Sequence, residues 1–522
     1  MQEKMHRMIK QGERGKEWIA ETRDQIRVFS HYDADGITSA AIMTRTLERL
    51  GKDFHLSIVK QLSDKILESV AAEKRKLVIF LDMGSGQIEL IKKHLRASRV
   101  IICDHHQAGG DADERIVHIN PTEKGMEDAI SGSGVTYIFS KALDAKNSDL
   151  AHIAVIGAIG DSQIDAIGRD WGLSGMNREI LNDAEAHGMI KVSKGLHLWG
   201  RYTRPLHKAL AYSIDPFIPG ITNSESASLQ FLHDLGIPAK KGEEWRTIAD
   251  LTPEEQRSLA DGIIRERIMA NHENPDFIFG DIYELPANEG EFRDANEFAT
   301  LLNACGKMGR ANLGIALCFN VKKAYEKARA TFEDYRREIG RGVSWVNSNT
   351  KNADLVRIMN GIYVLADSNI SEHIISNVIS VINHSGIFPE KPLFGIVDAE
   401  DGIKISARAS DSLLVNGIKL NEIMNEVSTK LGGDGGGHVG AAAGVIPKER
   451  QEEFINMTEL ILTNIVGAKH GHEEQTEAER RAAARGEEER GEAGEGSHAG
   501  PGRRENTGQK MERQGLVQYL GS

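Results

Sequence analysis

Val100-Ile101-Ile102-Cys103-Asp104-His105-His106 is the stretch on which the fold of this 522-residue chain turns. A short β-branched apolar run reads as a buried strand, and α/β proteins place their chemistry at the C-terminal ends of such strands. An acid and two imidazoles there are expensive to bury unless they bind metal. Three further segments repeat the design. In Gln25-Ile26-Arg27-Val28-Phe29-Ser30-His31-Tyr32-Asp33-Ala34-Asp35-Gly36, the period-2 geometry of an extended strand end turns His31, Asp33 and Asp35 toward one point. Gly36 then permits a sharp exit into a helix starting at Ile37. Leu77 to Leu81 is a second apolar strand, ending in Asp82, and the apolar helical segment Ala151 to Gly160 delivers Asp161.

A single Asp behind a strand is ordinarily a helix cap or turn residue, and a single His a satisfied strand-end residue. Capping does not account for four such ends in series, one reading H-x-D-x-D and another D-H-H. Oxygen and imidazole donors of this kind suit two hard or borderline divalent ions sharing a carboxylate, and no thiolate is needed.

These motifs, His31-Tyr32-Asp33-Ala34-Asp35-Gly36, Asp82, Asp104-His105-His106 and Gly160-Asp161, resemble the four motifs of the DHH phosphoesterase superfamily. That superfamily includes RecJ exonucleases, oligonucleotide and cyclic-dinucleotide phosphodiesterases, and manganese-dependent inorganic pyrophosphatases. Only Tyr32 separates His31 from Asp33, where many small members have three residues. Far downstream, Gly435-Gly436-Gly437-His438-Val439-Gly440-Ala441-Ala442-Ala443-Gly444 resembles the glycine-rich signature of the DHH-associated substrate-binding domain. Its usual partner is matched by Lys404-Ile405-Ser406-Ala407-Arg408-Ala409-Ser410. Gly200 to Leu206 and Arg293 to Gly306 together resemble the archaeal branch of the RecJ-like family, which includes a nuclease associated with GINS, a component of the replicative helicase.

The resemblance implies two divalent ions, Mn2+ or Mg2+. His31, Asp33 and Asp82 would hold one; Asp35, Asp82, His105 and Asp161 would hold the other, with Asp82 bridging. Asp82, Asp104 and His106 are the implied catalytic residues, His106 lying behind the ligands or on the scissile phosphate. Ser406, Arg408, Gly436, Gly437 and His438 are the implied substrate-binding residues. The residues themselves agree: exposed amides in a glycine run can hold phosphate oxygens, and Arg408 can clamp a phosphate from the strand face it shares with Ser406.

The expected architecture is α/β. Residues 1–24 form a lead-in helix, 25–218 a doubly wound parallel-sheet DHH domain, and 219–355 a mainly helical insert. Residues 356–466 form a smaller DHH-associated α/β domain. Residues 467–522 form a low-complexity disordered tail, with almost no large apolar residue before Leu516. Thr252-Pro253-Glu254-Glu255 marks a helix start in the insert. Ser131-Gly132-Ser133-Gly134 reads as a helix start in preference to a phosphate loop. The stretch Arg293 to Gly306 has helical apolar spacing, with no chemistry assignable from spacing alone.

Hydrophobic residues make up 40% of the chain, no apolar run approaches a membrane span, and the first residues lack a signal-type apolar core. Three cysteines without C-x-x-C fit a reducing compartment, so a cytoplasmic location without membrane contact is expected. A net charge of −13 argues against nonspecific coating of nucleic acid but leaves room for a local basic groove. The expected activity is metal-dependent exonucleolytic hydrolysis of single-stranded DNA or RNA, in replication or repair, with GINS and its helicase as the partners the resemblance implies. Leu516, Tyr519 and Leu520, spaced as one helical turn, resemble a degenerate sliding-clamp-binding peptide. One alternative is a phosphodiesterase for oligonucleotides or cyclic dinucleotides, which would not need the long insert. The other is a GINS-binding replisome scaffold with weak or lost nuclease activity, against which the full set of acidic ligands stands.

Overall fold

Strand ends do the positioning in this fold. The computed structural model describes residues 2–122, 129–167, 170–213, 216–222, 224–272, 274–400 and 402–465. The chain opens with α1 (Gln2–Glu21), β1 (Ile26–His31), α2 (Ala34–Arg49), β2 (Phe54–Val59), α3 (Asp64–Ala72), β3 (Leu77–Leu81), α4 (Ile88–His94), β4 (Arg99–Cys103) and β5 (Ile116–Ile119). The strands form one parallel sheet in the order β2-β1-β3-β4-β5. Alternate residues feed opposite faces. Ile79, Leu81, Ile101 and Cys103 enter a core shared with α2, while Val78, Phe80, Val100 and Ile102 enter one shared with α3 and α4. At the central strands β3 and β4 both faces are covered, and Leu77–Leu81 and residues 100–103 are accordingly continuously apolar.

Register sets the next row. Ser30 pairs with Leu81, and Leu81 with Cys103, so the residues that follow, His31, Asp82 and Asp104, share one C-terminal edge. The strand order reverses between β1 and β3, and at such a switch point α/β sheets open a crevice for ligands.

Helices α5 (Gly132–Leu143) and α6 (Ala151–Gly160) pack beside α2 in the first core. Next come β6 (Ile164–Ile167), β7 (Asp170–Leu173), α7 (Gly175–Ala186) and β8 (Lys191–Leu196). After them α8 (Leu206–Ala211), α9 (Glu225–Asp234), β9 (Lys240–Lys241), β10 (Glu244–Trp245) and α10 (Pro253–Met269) enclose a separate core around Leu210, Ile218, Leu232, Leu259 and Ile263. Helix α10 starts with the expected reciprocal cap between Thr252 and Glu255. Strand β11 (Phe279–Glu284) then returns to complete a four-stranded sheet, β6-β7-β11-β8. Helices α11 (Ala295–Lys307) and α12 (Ala311–Cys318) rejoin the first core. Helix α13 (Lys322–Asn349) puts Ala324 and Ala328 into that core and Tyr335 and Val346 into the next.

The C-terminal domain comprises β12 (Val356–Ile358), β13 (Ile362–Asp367), α14 (Ile375–His384), β14 (Leu393–Ala399), β15 (Gly402–Arg408), α15 (Asp411–Val415), α16 (Leu420–Lys430), β16 (Asp434–Gly437) and β17 (Ala441–Ile446). Its six-stranded sheet runs β12-β13-β14-β15-β17-β16. The glycine run forms the edge strand β16. A Cβ on Gly435 would lie 2.4 Å from the Met424 carbonyl oxygen, so glycine there lets α16 close on the sheet.

Residues 1–456 form one unit; of the second, Met457–Ser522, residues 457–465 are described and are helical. The tail at 467–522, with Leu516, Tyr519 and Leu520, lies outside the described residues. Among the described residues, no helix is long and apolar enough to cross a membrane.

Candidate metal centre

Strand β1 ends at His31, and the chain turns at once into α2. Asp33 is the N-cap of that helix, accepting the Gly36 N–H at 3.0 Å, and Asp35 lies in its first turn. The three side chains thus converge through a strand-to-helix turn, not by strand alternation, and the helix starts three residues before Ile37. Gly36 has no left-handed backbone; a Cβ there would lie 2.2 Å from the His31 carbonyl oxygen, so close approach demands glycine.

Asp35 is buried and accepts the Gly132 N–H at 2.6 Å and the Ser133 N–H at 2.9 Å. The Ser131–Gly134 segment is a helix start, as expected, and its free amides hold this carboxylate. Asp82 follows β3 with φ of 55°, a left-handed conformation costly for a non-glycine residue, and its N–H binds the Cys103 carbonyl at 2.8 Å. Asp161 ends α6, where the helix dipole gives a carboxylate no help.

The six expected ligands come together. His31 Nδ1 lies 2.9 Å from Asp33 Oδ2 and 3.6 Å from Asp82 Oδ2. His105 Nε2 lies 3.5 Å from Asp82 Oδ1, 3.6 Å from Asp161 Oδ2 and 3.8 Å from Asp35 Oδ2. Among the described residues, the expected ligands form two groups, His31-Asp33-Asp82 and Asp35-His105-Asp161, and a third, Asp82-His105-His106, brings in His106; in each the donor atoms lie within 4.8 Å of one another. Asp82 turns Oδ2 to the first and Oδ1 to the second.

Electrostatics make the cluster one that a cation would stabilise. Burial, with repulsion from Asp82 and Asp161, lifts the Asp35 carboxyl well above its ordinary range. Burial pushes Asp161 up to about 6 against the pull of His105. Burial disfavours charge on His105, yet Asp82, Asp35 and Asp161 outweigh it and raise the imidazole to about 10. Protons are retained where carboxylates crowd. His31 Nδ1, Asp82 Oδ1 and His105 Nε2 are also buried without a hydrogen bond of acceptable geometry, despite their neighbours' proximity. Buried polar atoms are rarely left so. Three orphaned atoms around one point, all of metal-ligating type, fit divalent ions.

Asp104 faces the other way. Burial opposes its ionisation, but the His106 Nδ1 at 2.7 Å and nearby donors hold its carboxyl far below the usual range. It also accepts N–H groups from Ser85, His105 and His106, so it shapes the D-H-H loop. His106, with more than half its side chain exposed, is lifted to about 9: burial lowers it, and the Asp104 hydrogen bond prevails.

Several residues here were not singled out by motif. Gln163 Nε2 donates to Asp161 Oδ2 at 2.7 Å and to the Ile130 carbonyl at 3.2 Å, while its Oε1 accepts from Asn177 at 2.6 Å. Only its place two residues beyond Asp161 hinted at this. Lys307 is pushed down to about 8, by burial first and then by Lys404 and Arg408, with Asp33 opposing. Its Nζ donates to Asn377 Oδ1 of α14 at 2.6 Å.

Of the expected substrate residues, Ser406 is buried and Arg408 half-buried on the same face of β15. The guanidinium donates to Ser380 Oγ at 2.8 Å and to the Ala407 carbonyl at 2.7 Å. Gly436 lies across Ala443 from Ser406, and Gly437 ends β16. His438 is exposed in the following turn, three residues before Ala441, the partner of Arg408. Lys60–Glu372 at 2.7 Å and Gln61–Asp434 at 3.2 Å join the first sheet's loop to this domain.

The chain matches family models for the DHH family N-terminal domain over residues 25–160, the DHH-CID domain over 198–277 and the DHHA1 domain over 360–464. It is 29% identical over 470 residues to an uncharacterized protein of Methanocaldococcus jannaschii, covering 88% of this chain and 99% of that one. To the single-stranded-DNA-specific exonuclease RecJ of Bacillus subtilis it is 28% identical over 169 residues, 30% of this chain and only 21% of that enzyme. The crystal structure of RecJ in complex with Mn2+ from Thermus thermophilus superposes with a TM-score of 0.54 at 17% identity, over 88% of this chain and 55% of that one. CDC45 from Entamoeba histolytica superposes with a TM-score of 0.57 at 12% identity, over 87% and 98%. At such identities the structures share the fold.

Proposed function

We propose, for a chain built on the DHH and DHH-associated domain architecture, that it is a two-metal exonuclease hydrolysing phosphodiester bonds of single-stranded nucleic acid. The observation that carries this reading is Asp82, whose two oxygens face separate ligand groups at the C-terminal edge of the parallel sheet. His31, Asp33 and Asp82 would hold one divalent ion, and Asp35, Asp82, His105 and Asp161 the other. Bound there, the ions supply Lewis-acid relief of phosphate charge and a water acidic enough to attack at neutral pH. Lys307 and Arg408 draw the strand's phosphates toward the ligand groups. Asp104 engages His106 Nδ1 and so orients an imidazole that lies beside Asp82 and His105 and is lifted to about 9, able to give a proton to the leaving oxygen. The name of the RecJ relative supports single-stranded DNA as substrate, and the RecJ structure supports Mn2+.

The test uses end-labelled DNA and RNA strands and a dinucleotide, with Mn2+ and Mg2+ in turn. Stepwise shortening of long strands, abolished in a folded Asp82→Ala variant, is expected. Cleavage confined to the dinucleotide would favour a small-substrate phosphodiesterase, and unaltered activity in Asp82→Ala would reject the site.

A further inference from the structure

Helix α11 ends in Asn303-Ala304-Cys305-Gly306-Lys307, a stretch that supplies no ligand, yet it rests on two loops that do. Asn303 Oδ1 accepts the Ala34 N–H at 2.8 Å, and its Nδ2 reaches the Gly160 carbonyl at 3.4 Å. Ala34 stands between Asp33 and Asp35, and Gly160 immediately precedes Asp161. One amide thus ties a loop serving both ligand groups to the loop completing the second. A donor on one side and an acceptor on the other leave a single orientation of the amide that satisfies both.

The approach is close throughout. A Cβ on Gly160 would lie 2.5 Å from Ala34 Cβ. One helical turn after Asn303, on the same face, a Cβ on Gly306 would lie 1.6 Å from the Tyr32 carbonyl oxygen. Gly306 is glycine so that the helix backbone can lie directly on the H-x-D-x-D loop. The helix is itself held firmly. Asp294 caps its first turn, Glu297 accepts the Tyr202 N–H at 2.7 Å, and Phe298, Leu301, Leu302 and Cys305 are buried in the first core.

We propose that Asn303 is a positioning residue that sets the spacing between Asp35 and Asp161 in the second ligand group, with Gly306 permitting its approach. The metal centre is then completed by a helix that lies outside the four ligand motifs, inside the expected insert and beyond the segment matched by the DHH-CID domain. This inference rests on the two-ion reading above. Asn303 touches no substrate; it acts through Ala34 and Gly160, whose carboxylate neighbours Asp35 and Asp161 belong to the same ligand group.

The experiment titrates Mn2+ into full-length wild type, Asn303→Ala and Asn303→Asp by calorimetry, with thermal unfolding and strand hydrolysis in parallel. Asn303→Asp keeps an acceptor for Ala34 but sets a carboxylate oxygen against the Gly160 carbonyl, so it carries the test should the alanine variant not fold. The expected result is a loss of about 10- to 100-fold in affinity for one of two ions, the other being spared, as for groups that orient metal ligands. The hydrolysis rate at saturation should fall while KM for the strand holds. Wild-type affinity for both ions in a folded variant would overturn the inference. So would a lower unfolding temperature with unchanged affinity in the folded fraction, the signature of a merely structural role. Wild type that binds no Mn2+ would overturn the two-ion reading, and this inference with it.

Discussion

Gly132→Ala leaves every ligand in place and should still disable the centre. Gly132 opens α5, gives its N–H to Asp35 at 2.6 Å, and turns its α-carbon to Asp82. A Cβ there would lie 2.5 Å from Asp82 Oδ1, 2.8 Å from its Cβ and 2.9 Å from its Cγ. Against an ordinary contact of about 3.5 Å, the overlap is roughly 1 Å. Asp82 cannot yield through its backbone, which is left-handed and tied to the Cys103 carbonyl, so its carboxylate must rotate. A shift of about 1 Å in a reacting group costs on the order of 100-fold in rate. Disturbing a ligand's setting costs about 10- to 100-fold in metal affinity. Stability should change less: overpacking costs about 1–3 kcal/mol, and alanine over glycine at a helical position returns up to about 1 kcal/mol. Calorimetric Mn2+ titration, denaturant unfolding and strand hydrolysis would separate the three effects. A folded Gly132→Ala protein binding Mn2+ within about threefold of wild type would refute the confinement of Asp82.

Two further outcomes are expected. Arg408→Ala should weaken strand binding and lower the slope of log affinity against log salt by about one, as for a single phosphate contact; an unchanged slope would remove Arg408 from the strand's path. His152, on α6, is held down to about 4 by burial, against the opposing hydrogen bond from its Nδ1 to the Asp149 carbonyl. Its neutral form is the folded one, so its stabilisation is complete above the unfolded value of 6.5 and is lost as pH falls from there toward 4. The loss is on the order of 3 kcal/mol, and His152→Gln should flatten that limb of a stability-versus-pH curve; an identical limb would show that His152 does not titrate this way.

The gathering of these side chains was legible because strand-end chemistry is written locally. A run such as Val100 to Cys103 can only be buried, and whatever charge follows it must be answered in three dimensions. Parallel register then did what no single segment announces, setting His31, Asp82 and Asp104 side by side. The manner of convergence was less legible. Spacing of H-x-D-x-D is compatible with an extended end or with a cap and first helical turn, and the Asp33 cap selected the second. The glycines at 435 and 436 look the same in sequence whether they form a phosphate loop or, as here, an edge strand packed against α16.

Side chains that act through amides left almost no trace. Gln163 and Asn303 are ordinary polar residues by composition, and each matters only because its partners are backbone groups or carboxylates brought close by the fold. Asp82 carries the physical consequence. Left-handed strain, an orphaned oxygen and crowding by Gly132 all fall on this residue, and none stabilises the chain by itself. A fold spends stability in one place when a ligand restores it there. The surrounding holders, Gly132 and Ser133 on Asp35, Gln163 on Asp161, Asn303 on Ala34 and Gly160, keep the carboxylates from relaxing apart when no cation is bound. Preorganisation of this kind explains why supporting residues come from α5 and α11, with Asn177 of α7 behind Gln163, as well as from the motif loops: a loop cannot brace itself against the repulsion of its own charges.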